Sequence, residues 1–93
     1  MEKLLIEKVR EALAEACKPD AQPDIQLDSV EPAKVAGLVL STTFIGLSPS
    51  ERQELIWKSF DARLTPHERT RIIFIVADTP QEHAALQDMR HTG

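Results

Sequence analysis

Few side chains in this sequence could do chemistry. It has three histidines, His67, His83 and His91, and one cysteine, Cys17, in 93 residues. One thiol excludes an internal disulfide framework and a four-cysteine zinc site. Cys17 reads as a free, packed thiol at the end of a helix. Lys18 beside it favours the thiolate, while Glu15 and Asp20 oppose it. His67 follows Pro66 at a helix start and reads as solvated or cap-side. His83 reads as a surface or core-edge residue one turn into the last helix, and His91 lies near the end. Their spacing with Cys17 is not that of a zinc module. The sequence contains no Gly-rich phosphate loop, no Cys-x-x-Cys, no His-Glu-x-x-His and no Gly-x-Ser-x-Gly. Pairs such as Glu82 with His83, or Asp78 with His67, have no nucleophile seated beside them. The expectation is therefore a non-enzymatic protein with no cofactor and no metal site.

Arg52 is the most informative charge. It shares a helical stripe with Leu55, Ile56, Ser59 and Phe60, where a guanidinium needs a partner. It can tie its helix to carbonyls and a carboxylate, or it can meet an anionic group on another molecule. Taken with Trp57 as an aromatic anchor and with Arg69 and Arg71 at the start of the last strand, it forms the expected partner-binding set. Charge is spread unevenly: residues 1–31 hold eight acids and four bases, and residues 52–71 hold five bases and three acids. The basic 52–71 segment is the candidate nucleic-acid surface, with Trp57 as its stacking indole. A solvated helix face explains it equally well. The whole chain has a formal net charge of −4, which argues against a general grip on nucleic acid or anionic lipid.

The elements that must position these residues follow from period and caps. At 93 residues and 42% hydrophobic content the chain reads as one domain, 1–93, with its core at about 2–90. Leu5, Val9, Leu13 and Ala16 recur at helical spacing over 2–17, and Pro19 stops them. Ile25 and Leu27 alternate with Gln26 and Asp28, which predicts a half-buried strand over 24–30. A tight link, Glu31-Pro32-Ala33-Lys34, makes a hairpin with the strand 35–41, where Gly37 predicts a close approach or a bend. Ser48-Pro49-Ser50-Glu51, Thr65-Pro66-His67-Glu68 and Thr79-Pro80-Gln81-Glu82 each start a helix in the same way. The second of these helices is expected to be short. Ile72 to Ala77 are apolar on both faces, which predicts a central strand covered on both sides. Helices packed on one side would leave an apolar patch there, and a homodimer is one way to cover it. No stretch is long and apolar enough to span a bilayer, and the N-terminus is not a secretory signal. The expected compartment is the cytoplasm.

Residues 40–57 carry a family resemblance. Phe44, Gly46, Ser48, Arg52, Ile56 and Trp57 match the centre of the BolA-like family, and Thr79-Pro80-Gln81-Glu82 is similar to the start of that family's last helix. The resemblance spans most of residues 24–86. It implies an α-β-β-α-α-β-α fold of the α+β class, related to the type II KH domain. A small three-stranded mixed sheet would have its helices mainly on one face. It also implies a non-enzymatic adaptor or regulator that pairs with a monothiol glutaredoxin, commonly around a [2Fe-2S] cluster. The family's cluster histidine, eight residues before Thr79-Pro80, is replaced here by Arg71. The link between the first two strands carries neither Cys nor His, and Gln53 follows Arg52 where the family has His. A guanidinium cannot ligate iron as imidazole does, so a protein-binding role without the cluster is expected. The alternatives are a nucleic-acid-binding transcriptional or stress regulator using residues 52–71, and a structural homodimer.

Overall fold

A computed structural model describes residues 4–30 and 33–91, with backbone alone for 87–91. The order is α1 (Leu5–Ala16), β1 (Asp24–Val30), β2 (Lys34–Leu40), a 3₁₀ turn (Thr42–Phe44), α2 (Pro49–Arg63), α3 (Pro66–Arg69), β3 (Ile72–Asp78) and α4 (Pro80–His91). The three Ser/Thr-Pro-x-Glu starts behave as expected. Ser48 and Thr65 each accept from the backbone three residues on, and Glu51 and Glu68 accept from the cap residue's own N–H. Thr79 and Glu82 make the same reciprocal pair at 3.1 and 2.8 Å. Glu31 and Pro32 of the expected hairpin link lie outside the described residues.

The sheet order is β1-β2-β3, antiparallel then parallel. The expectation that β3 is central is overturned: it is an edge strand. Apolar residues on both of its sides report what could be covered, not the place of the strand in the sheet. Its alternation also breaks. Val35 pairs with Ile72 and Ala36 with Phe74, so Ile73 is the extra residue of a bulge. Ile72 therefore joins Ile75 and Ala77 in the core, and Ile73 is left exposed.

α1 and α2 pack on each other and cover one face of the sheet. There Val9, Leu13, Val39, Phe44, Ile56 and Phe60 are fully buried. Across the strands the row Ile25–Val39–Ala77 lies on this inner face. A Cβ on Gly37 would stand 2.5 Å from Leu27 Cδ2 and 2.6 Å from the Gln26 carbonyl oxygen, which is why that position is glycine.

The end of α1 is fastened to the end of β2. Ser41 Oγ donates to Asp20 Oδ2 at 2.8 Å, and Thr43 Oγ1 donates to the carbonyl of Cys17. Cys17 is buried, and that burial pushes its thiol pKa up. Among the described residues no helix is long and apolar enough to cross a membrane.

Candidate functional site

Arg52 is where helix, strand and helix meet. Ser48 caps α2, and Arg52 falls on the buried stripe with Ile56 and Phe60. Its Nε donates to the Leu47 carbonyl at 3.0 Å, and Nη1 donates to the Ala77 carbonyl at 3.1 Å. Nη1 and Nη2 also grip Glu82 at 2.7 and 3.1 Å. Only 10% of the Arg52 side chain is exposed. Of the two roles open to it in the sequence, it performs the tie to carbonyls and a carboxylate. The guanidinium and the Thr79 N–H hold the Glu82 carboxyl down to about 2. Glu82 thus serves two purposes, capping α4 and locking α4 to α2.

The neighbouring Gln53 donates from Nε2 to the Ile75 carbonyl at 2.8 Å. Ala77 and Ile75 alternate along β3, so these two side chains occupy successive carbonyls on the strand's outer edge. The sequence signals that edge only through the adjacent polar pair Arg52-Gln53.

The other expected residues lie at the far end of α2 and around α3. Trp57 is half-buried and packs on the core, edge-on to Phe60 with ring centroids 5.0 Å apart. Arg69 Nη1 donates to the Leu64 carbonyl at 2.9 Å, and its Nε lies 3.2 Å from Asp61. Asp61 is one turn beyond Trp57, so Trp57 and Arg69 share one side of the α2–α3 corner. The basic segment is largely engaged within the fold, since Arg63 also reaches Glu15 at 3.4 Å.

Arg71 stands apart from that corner. The Val35 N–H donates to the Arg71 carbonyl at 2.9 Å, which places Arg71 beside the β1–β2 link. Its Nη2 lies 3.4 Å from His67 Nε2. An arginine has only donors, so this contact needs an imidazole that accepts at Nε2. Arg71, His67 and Lys34 line a groove of about 400 Å³ together with Leu5, Ile6 and Val35. Lys8 pairs with Glu68 on the same rim at 2.7 Å and is the main reason that carboxyl lies below its usual range. The predicted set is therefore divided. Arg52 is internal, Trp57 and Arg69 flank one corner, and Arg71 opens on a cation-rich groove with an apolar floor. His67 and Lys34 were not singled out as site residues. The four-residue spacing of His67 and Arg71 across the α3 turn was the available signal.

This strand end does not fit an iron–sulfur cluster. His67 offers one imidazole, but a guanidinium faces it, and Cys17 lies at the opposite end of β2 beside Ser41. Among the described residues no group of three His, Cys, Asp or Glu side chains is placed to hold a metal ion.

No protein-family model and no curated protein matches this sequence. Among solved structures it is similar to a Bol-like protein from Babesia bovis, with 21% identity and a TM-score of 0.60 over 94% of this chain and 95% of that one. The element order, the mixed three-stranded sheet and this likeness agree: the chain has the BolA-like fold.

Proposed function

We propose that this domain is a non-enzymatic docking module that takes a protein partner at the start of β3, without an iron–sulfur cluster. The observation that supports it is the Arg71–His67 pair with Lys34 above an apolar floor of Leu5, Ile6 and Val35. Cations beside apolar side chains suit a partner that offers a carboxylate next to an aliphatic or aromatic residue. Trp57 and Arg69, on the adjacent α2–α3 corner, extend the surface. A cytoplasmic monothiol glutaredoxin is the partner that the family resemblance of residues 40–57 implies.

The test is capture from native lysate by the immobilised protein, with and without nuclease. Proteins recovered equally under both conditions, and lost with Arg71→Ala, support docking. Recovery that disappears after nuclease supports the nucleic-acid reading instead. A monothiol glutaredoxin loaded with cluster should bind without acquiring a histidine-ligated absorption spectrum. Such a spectrum, abolished by His67→Ala, would overturn the cluster-free reading.

A further inference from the structure

The outer face of the sheet sets apolar residues between acids. Its rows run Asp28–Ala36–Phe74, Gln26–Leu38–Val76 and Asp24–Leu40–Asp78 from β1 across to β3. Phe74 is 53% exposed and Val76 42%. Leu86, 51% exposed, stands with His83 on α4 as the wall of a groove of about 370 Å³ over Leu38, Phe74 and Val76. Asp28 and Gln26 line the opposite side, Asp78 closes one end, and among the described residues no lysine or arginine lines it.

We infer that this groove docks a basic amphipathic helix from a partner protein. An exposed apolar floor between acid-bearing borders accepts apolar side chains at i, i+3 and i+4, with lysines or arginines reaching Asp28 and Asp78. A second copy of this chain fits less well, because the same groove would bring carboxylates and, among the described residues that line it, no arginine or lysine to meet them. The groove lies on the opposite face from α1 and shares no lining residue with the Arg71 groove. An acidic partner and a basic one could therefore be held at once.

The test is a titration, read by fluorescence anisotropy, with a labelled helical peptide carrying leucines on one face and lysines on the other. Two controls are the same peptide with glutamate for lysine and a scrambled lysine–leucine peptide. The basic amphipathic peptide should bind, with affinity that falls as salt rises. Phe74→Ser should weaken it about ten-fold, and Asp28→Lys should weaken it and remove most of the salt dependence. Arg71→Ala should leave it unchanged, which separates this surface from the one proposed above. Circular dichroism checks that each variant is folded. Equal binding by either control peptide, no binding by the basic one, or no effect of Phe74→Ser in a folded protein would overturn the inference. So would a dimer in sedimentation that Phe74→Ser dissociates.

Discussion

The two faces of the sheet meet very different environments. On the inner face Val39, Ile75 and Ala77 lie beneath α1 and α2, in a core that includes fully buried Phe60 and Ile56. On the outer face Phe74 and Val76, from the same strand, stand about half in water. Side chains of equal hydrophobicity therefore do different work. The inner ones supply the folding energy, and the outer ones remain available to another molecule.

The largest expected effect tests that contrast directly. Phe60→Ala should lower unfolding free energy by about 3–5 kcal/mol, whereas Phe74→Ala should stay within about 1 kcal/mol. Urea denaturation measures both, and similar losses would mean the outer face is structural too. Next comes the tie between faces and helices. Arg52→Met removes the donors to Leu47, Ala77 and Glu82, a loss of about 2 kcal/mol or more in the same assay. Arg52→Lys should recover little of it, because one ammonium cannot reproduce the two-pronged grip on Glu82.

The acid limb gives a smaller effect. The Glu82 carboxyl is lowered in the folded state from the ordinary 4.5 to about 2, first by Arg52 and then by the Thr79 N–H. Its contribution is complete above the ordinary carboxylate range and is lost as pH falls from about 4.5 towards about 2. Glu82→Gln should therefore flatten melting temperature against pH in that interval, and should have a smaller effect in an Arg52→Met background, where only the Thr79 contact is left to lose. The smallest effect is at Ala33, whose φ of 56° is left-handed. Ala33→Gly should raise stability by up to about 1 kcal/mol, the relief of left-handed strain less the entropy of glycine.

The helix starts were legible because their physics is local. Ser48 with Glu51, Thr65 with Glu68 and Thr79 with Glu82 each lie three residues apart. Element order was legible for the same reason. Strand order was not, since the two-sided hydrophobicity of Ile72 to Ala77 suits a central strand as well as an edge strand with one face uncovered. The bulge at Ile73 was also hidden, because register is decided by both strands together. Arg52 was recognised as needing a partner. That the partner is a capping glutamate 30 residues away depends on how α4 returns to α2. The gathering of Arg71 with Lys34 needed the parallel pairing of β2 and β3, which no single segment encodes.

The order in which the chain is made adds a consequence to the Arg52 and Gln53 contacts on the β3 edge. These side chains precede the carbonyls they occupy by 25 and 22 residues. During synthesis they leave the ribosome first, on a helix start already capped by Ser48 and Glu51. When the sticky strand emerges, the groups that occupy its open side are already waiting. The nascent chain thus has less opportunity to zip against a neighbour on the same polysome.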